Sequence, residues 1–302
     1  MLNMPNSGYR YEERLGRSAS GVTVLDYLVG RYSHSSEDAW AKRIEAGRVF
    51  VNGAPVVAGT NLSAGAVLAW DRPPWVEPEA PSSFAVLYRD RDVLAVAKPR
   101  GLAAMPGGGF LERTLLRRVA ALDPAASPLH RLGRATSGVT LFARHTIARR
   151  RLTEAWRTGA VERNYVGLVR GKPPWREVRV DEPIGPVPHA RLGSVAGLNP
   201  DGKHAESRVR LLEHRASTSL VEVTIETGRT HQIRIHLAAL GYPLEGDPLY
   251  PVGGVPDAST SALPGDLGYS LHAHSIRFPH PEQGRSVSIV CLPPPILRRE
   301  NL

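Results

Sequence analysis

Polar and apolar positions change their period twice along the chain. Val22, Val24, Leu25 and Leu28 fall at helical spacing and predict a first helix. A second is predicted over 36–46, with Ser35 or Ser36 as N-cap and Gly47 as its stop. Glu37 and Asp38 then sit in the first turn, where carboxylates suit the helix dipole. Arg48–Gly53 reads as a short strand entering an Asn52-Gly53 hairpin turn, with return strands at Val56-Val57 and Val67–Trp70. Between Asp71 and Ser83 the pattern stops. Four prolines in thirteen residues exclude a helix or a central strand and predict a stiff linker. The expected organisation is a small module over 1–71, a Pro-rich linker over 72–83 and a larger domain over 84–302. In that domain alternation dominates: strands are predicted at Phe84–Tyr88, Val93–Ala97, Val139–Ala143, Asn164–Val169, Ser207–Leu212, Ser219–Glu226 and Ser286–Val290. Helices are predicted over 111–121, 146–157 and 230–239. Runs of strands with few helices point to an α+β fold on a mixed, largely antiparallel sheet. The Gly/Pro/Ser stretch 250–268 reads as a long, mobile loop.

Length adds that 302 residues suffice for two domains with a sizeable core. With 42% apolar and 22% charged residues, wholesale disorder is excluded. No run approaches the roughly 18 apolar residues of a membrane span, and the first residues lack a signal peptide's apolar core. Cys291 stands alone, which excludes an internal disulfide framework and suits a reducing, cytoplasmic compartment. The net charge of +9 favours an anionic partner, and for a basic protein nucleic acid is the commonest. Only four of the 38 basic residues are lysines. A GC-rich genome would give that bias without function.

Five segments of the larger domain concentrate unusual polar residues. They are Lys98-Pro-Arg-Gly-Leu-Ala-Ala-Met-Pro-Gly-Gly, Leu129-His-Arg-Leu-Gly-Arg-Ala-Thr-Ser-Gly138, Arg163-Asn-Tyr-Val-Gly-Leu-Val-Arg-Gly171, Thr227-Gly-Arg-Thr-His-Gln-Ile-Arg-Ile-His236 (continuing through Gly246-Asp247-Pro248-Leu249-Tyr250) and Leu271-His-Ala-His-Ser-Ile-Arg-Phe-Pro-His-Pro281. Singly, each has an ordinary explanation. Pro106–Gly109 suits a turn better than a phosphate cradle, because no Gly-Lys-Ser/Thr follows. His231, His236, His272 and His274 lack a carboxylate or Cys at ligand spacing, so no metal is expected. Arginines on a loop are more often solvated than functional.

In this order, over about residues 84–292, the segments resemble the RluA-type family of RNA pseudouridine synthases. The family pattern is His-Arg-Leu-Asp-Arg-x-Thr-Ser-Gly, a tyrosine strand, then Thr-Gly-Arg-x-His-Gln-Ile-Arg-x-His. Residues 22–71 more weakly resemble the alpha-L RNA-binding module that often precedes it. Glu37 and Asp38 replace the basic residues usual there, which implies a reduced grip. The resemblance implies the pseudouridine synthase fold and isomerisation of a flipped-out uridine in ribosomal or transfer RNA, without cofactor or metal, by a monomer. By position it implies that Arg131 replaces the extruded base in the stack, that Tyr165 covers the uracil and assists proton removal at C5, and that Arg229 positions the catalytic aspartate. Ile233 and Leu168 would be apolar walls. His130, Arg134, Thr136, Ser137, Lys98, Arg144 and Arg234 would bind RNA, with Lys98 and the arginines on phosphates.

The sequence departs from the pattern at the nucleophile, where Gly133 stands instead of Asp. Glycine cannot attack a sugar carbon or hold a charge, and a catalytic carboxylate is worth many powers of ten in rate. Three readings stay open. The chain binds RNA without turning it over, another carboxylate (Asp247 or Glu162) fills the gap, or a family branch reading Leu-Gly-Arg works by another route. Arg229, bereft of its usual partner, is expected to meet another carboxylate, a bound anion or water.

Overall fold

A computed structural model describes residues 4–32, 35–257 and 259–300. Contacts divide the chain into two compact units, Met1–Pro78 with Arg191–Gly193, and the remainder from Glu79. The division after Pro78 falls inside the Pro-rich stretch.

The smaller unit runs β1 (Tyr9–Arg14), α1 (Val24–Arg31), α2 (Glu37–Glu45), β2 (Val49–Val51), β3 (Ala54–Pro55) and β4 (Val67–Arg72). Thr23 and Ser36 start the helices, each hydroxyl accepting a backbone N–H three residues on, from Asp26 and Ala39. Asn52 and Gly53 both take positive φ, as a tight hairpin turn between β2 and β3 requires. The helices bury Val24, Leu28, Trp40 and Ile44 against Val49, Leu68 and Trp70 of a sheet ordered β1-β4-β2-β3. The sequence pattern missed β1, whose polar residues show little alternation.

The larger unit contains β5 (Ala85–Arg89), β6 (Val93–Lys98), α3 (Leu115–Leu122), β7 (Ser127–Pro128), β8 (Thr136–Ala143), α4 (Thr146–Arg157), β9 (Glu162–Arg170), β10 (Glu177–Asp181), β11 (Ile184–His189), β12 (Gly193–Leu198), β13 (Glu206–His214), β14 (Thr218–Ile225), α5 (Gln232–Ala239), β15 (Leu271–Pro279) and β16 (Ser286–Val290). The main path of its sheet is β10-β13-β14-β9-β15-β8-β6-β5, with β16 on β15 and β7 on β8. The fold is α+β, as expected. Within this ten-stranded sheet every pairing is antiparallel except β15 with β8, which run parallel through Leu271–Ala273 and Thr136–Gly138.

That parallel seam explains why β8 starts at Thr136 rather than Val139. Gly138 has φ +113°, and a Cβ there would lie 2.2 Å from the Ala273 carbonyl oxygen. Only glycine lets the two backbones approach so closely. Helix α4 matches its expected limits, with its apolar face (Ala148, Leu152, Ala155) packed on Val139, Leu141 and Ile276. Helix α3 starts four residues later than expected, because Thr114 accepts the Arg117 N–H and fixes the N-terminus there. Helix α5 is buried over Gln232–Ala238, polar residues included. Its Gln232, Arg234 and His236 therefore need internal partners, and each has one.

Candidate active site

The Leu129–Ala135 loop leads into β8 and turns its side chains alternately in and out. Leu132 and Ala135 are buried in one cluster with Tyr165 of β9, Ile233 of α5, and Tyr269. Arg131 and Gly133, between them, are exposed. The Gly133 carbonyl accepts the Thr136 N–H at 3.1 Å and closes the turn. Tyr165 is 8% exposed, and burial raises its phenol pKa, opposed by the Arg163 guanidinium. The loop that carries the exposed Arg131 and Gly133 thus buries its Leu132 and Ala135 in the same core cluster as Tyr165.

The arginine that belongs to this locality is Arg234, not Arg229. Arg229 is exposed and its Nε donates to the His204 carbonyl at 2.8 Å. No carboxylate stands among its contacts with the described residues, so the role implied for it, positioning a carboxylate, is corrected. Its place in the turn before α5 explains this: its backbone N–H is held by Gln232 Oε1, and its side chain points outward. Arg234, one helical turn on, was expected to contact phosphate outside the pocket. Its side chain is instead 3% exposed, and Asp247 takes it in bidentate fashion, Nε to Oδ2 and Nη2 to Oδ1, both at 2.7 Å. Burial is the largest influence and opposes the Arg234 charge, yet the Asp247 hydrogen bonds together with the charges of Tyr269, Asp247 and Tyr250 outweigh it, and the arginine's pKa is raised. Nη1 donates to the Pro264 carbonyl. The guanidinium lies 4.3 Å from the Tyr269 ring centroid and 4.8 Å from that of Tyr250.

Asp247 is a saturated acceptor. Besides both arginine bonds it takes the backbone N–H groups of Leu249 and Tyr250. A carboxylate so occupied, 1% exposed, is a structural counter-ion rather than a substitute nucleophile. Glu162, at the start of β9, is bonded to Asn164 and Arg277. What occupies the space beside Gly133 is a phenol. A Cβ at residue 133 would lie 3.0 Å from the Tyr269 hydroxyl and 3.5 Å from Thr136 Oγ1, and those two oxygens are 3.4 Å apart. Tyr269 is 1% exposed. It went unnoticed in the sequence, although it stands two residues before the distinctive Leu271-His-Ala segment.

Other expected RNA contacts divide by face. Thr136 and Ser137 are neighbours on a strand and so point to opposite sides. Thr136 faces Tyr269, whereas Ser137 Oγ bonds His272 Nδ1 at 2.8 Å and borders a cavity of about 810 Å³ on the other side, with Lys98, Arg100 and Pro293. Leu168 also belongs to that other side, with Val166, Leu220 and Leu297, so it is no wall to Tyr165. Ile233 belongs to the same core cluster as Tyr165. Lys98 is fully buried, its ammonium bonded to the carbonyls of Pro99, Leu102 and Arg134, which leaves no N–H for a phosphate. Burial, with Arg134 and Arg100 nearby, pushes its pKa down to about 7. Arg144 is held by Asp123 at 2.5 Å rather than offered to RNA. Arg134 donates Nε to the Gly265 carbonyl at 2.7 Å.

His130 also turns inward. Its Nε2 accepts the Leu141 N–H at 3.0 Å, its ring rests against Trp156, and burial with Arg163 nearby lowers its pKa to about 3. His231, at the α5 N-terminus with φ +58°, bonds Tyr250 through Nδ1 and is likewise pushed down to about 3, by burial, then Arg234. Both imidazoles stay neutral in the folded state below pH 6.5, where the unfolded chain takes up protons. Stability is therefore lost as pH falls from about 6.5 toward 3, by up to about 1.4 kcal/mol per pH unit for each ring. Urea unfolding at pH 7 and pH 5 should show this loss, and His130→Gln should lessen it.

The family profile described as RNA pseudouridylate synthase matches residues 92–239, which include the Gly133 loop, Tyr165 and Arg234. An uncharacterized RNA pseudouridine synthase of Synechocystis is 40% identical over 92% of this chain and 96% of its own. RNA pseudouridine synthase 5 of Arabidopsis thaliana is 35% identical over 97% and 95% respectively. Ribosomal large subunit pseudouridine synthase D of Yersinia pestis is 33% identical over 90% and 86%. Among solved structures, human RNA pseudouridylate synthase domain containing 1 superposes with a TM-score of 0.56 at 25% identity, covering 74% of this chain and 89% of that one.

Proposed function

Because the chain belongs to the RNA pseudouridine synthase family, we propose that it isomerises a uridine in a folded ribosomal or transfer RNA, working as a cytoplasmic monomer. The reaction breaks the N1–C1′ bond of the nucleotide, turns the uracil and joins C5 to C1′, releasing the C5 hydrogen. The observation that carries this reading is the convergence of an exposed Arg131, an open backbone at Gly133 and the buried Tyr165 on one loop and strand.

The target base must leave its stack to reach such a site. Arg131 is suited to the gap, since a planar cation stacks on bases and stays charged beside phosphates. Tyr165 supplies a flat wall for the uracil, stiffened by its pairing with Ala273 and Val223 on either side. Arg234, neutralised by Asp247, holds the wall's other edge through Tyr269. The N-terminal unit is proposed to add phosphate contacts. The net charge of +9 supports steering of RNA to the protein.

Release of tritium from RNA carrying 5-tritiated uridine tests the reading. Release matched by pseudouridine formation supports it, and RNA binding with no release overturns it. That second outcome is the non-catalytic reading, which the glycine at residue 133 favours. In either case Arg131→Ala is expected to weaken RNA binding by about 1–3 kcal/mol, the usual worth of one stacking partner. Filter binding across salt concentrations should also show a shallower salt slope, by about one unit. The melting temperature should stay unchanged, because Arg131 is exposed.

A further inference from the structure

We propose that Tyr269 stands in for the missing carboxylate and that its phenol oxygen is the group that attacks C1′ of the target uridine. This inference rests on the isomerase reading above. Its premise is a single juxtaposition: the Tyr269 hydroxyl lies 3.0 Å from the point where a side chain at residue 133 would begin. Glycine at 133 and tyrosine at 269 are thus a complementary pair, the absent side chain of one making room for the phenol of the other.

Three features suit the phenol to the task. Gly133 is exposed and carries no side chain, so nothing of residue 133 beyond its backbone covers the hydroxyl of the buried Tyr269. Thr136 Oγ1, at 3.4 Å, orients the hydroxyl. The Arg234 guanidinium sits 4.3 Å from the ring centroid, where positive charge stabilises the negative charge that builds on the oxygen during reaction. Asp247 is fully occupied and Glu162 is engaged by Asn164 and Arg277, so both carboxylates weighed for the task already have partners.

The step balances without a co-reactant. The Tyr269 oxygen bonds to C1′ as the C1′–N1 bond breaks, and the bonding pair leaves with the uracil. The phenol proton passes to that uracil at N1. After the uracil turns, C5 bonds to C1′, the tyrosyl–C1′ bond breaks, and the departing phenolate takes the C5 proton. The tyrosine is restored, and N1 of the product keeps the hydrogen it received.

Tyr269→Phe removes one oxygen and little volume. Tritium release is expected to fall at least about 100-fold in kcat, with KM for RNA and the melting temperature nearly unchanged. Incorporation of 3-fluorotyrosine at residue 269, which keeps the shape but makes the phenol more acidic, is expected to move the pH profile of kcat to lower pH. Gly133→Asp alone should not raise release, because the new side chain meets the phenol. Combined with Tyr269→Ala, which opens the space, it should recover release above that of Tyr269→Ala. Full turnover by folded Tyr269→Phe, or an unmoved pH profile with fluorotyrosine, would overturn the proposal while leaving the isomerase reading intact. Absence of release by the unaltered protein would remove both.

Discussion

Arg234→Ala is expected to destabilise the larger unit by about 3–5 kcal/mol, the usual cost of stranding one partner of a buried ion pair. The substitution leaves Asp247, 1% exposed at its side chain, without either guanidinium bond. It also frees the Pro264 carbonyl and removes the cation from between the Tyr250 and Tyr269 rings. Asp247 would keep only the backbone N–H groups of Leu249 and Tyr250, too little to compensate a buried charge. Chemical denaturation followed by tryptophan fluorescence would measure the loss. Arg229→Ala is the control. Its side chain is exposed and makes one bond to a carbonyl, so a change within about 0.5–1.5 kcal/mol is expected. Equal losses from the two variants would refute the assignment of Arg234 as the buried arginine of the site.

Gly138→Ala should be equally severe, for a different reason. Its backbone has φ +113°, and the added methyl would fall 2.2 Å from the Ala273 carbonyl oxygen and 2.6 Å from the Ala273 nitrogen. Both are backbone atoms of the parallel β8–β15 seam, which cannot yield without opening the sheet between the Thr136 loop and Tyr165. Steric overlap and backbone strain each cost about 1–3 kcal/mol, so a combined loss of roughly 3 kcal/mol or more is expected. Loss of soluble protein, or a melting transition lowered by many degrees, is the expected readout. Gly159→Ala offers a comparison. It too has positive φ but has nothing within 4 Å of the added carbon, so only the strain should register.

The contrast between Arg229 and Arg234 shows where motif reading stopped. Both arginines stand in Thr227–His236, where the resemblance implied Arg229 as the partner of a carboxylate and Arg234 as a phosphate contact. Which one is buried depends on how α5 packs. Its buried face runs all the way round, so no period of 3.6 distinguished inside from outside. The same holds for Thr136 and Ser137, placed together by the motif and separated by the pleat of β8. Lys98 and His130 looked like RNA contacts because polar residues in a dense motif suggest a surface. Their partners are backbone groups of Pro99, Leu102, Arg134 and Leu141, which no side-chain pattern reveals. Helix α4, by contrast, was legible to the residue, since one apolar stripe, a capping His145 and a closing Thr158-Gly159 all agree.

The sequence alone determined the α+β class, the Pro-rich break between two units, the family and the presence of glycine at residue 133. These follow from local periodicity, proline chemistry and the order of motifs, which survive without knowledge of contacts. Tertiary structure alone decided that Arg234 is the arginine of the site, that Asp247 is spent on holding it, and that Tyr269 lies where the side chain of residue 133 would begin. Residues 133 and 269 are far apart along the chain and meet only because β15 pairs in parallel with β8. A contact made by such pairing is a property of the sheet, and no spacing within either segment encodes it.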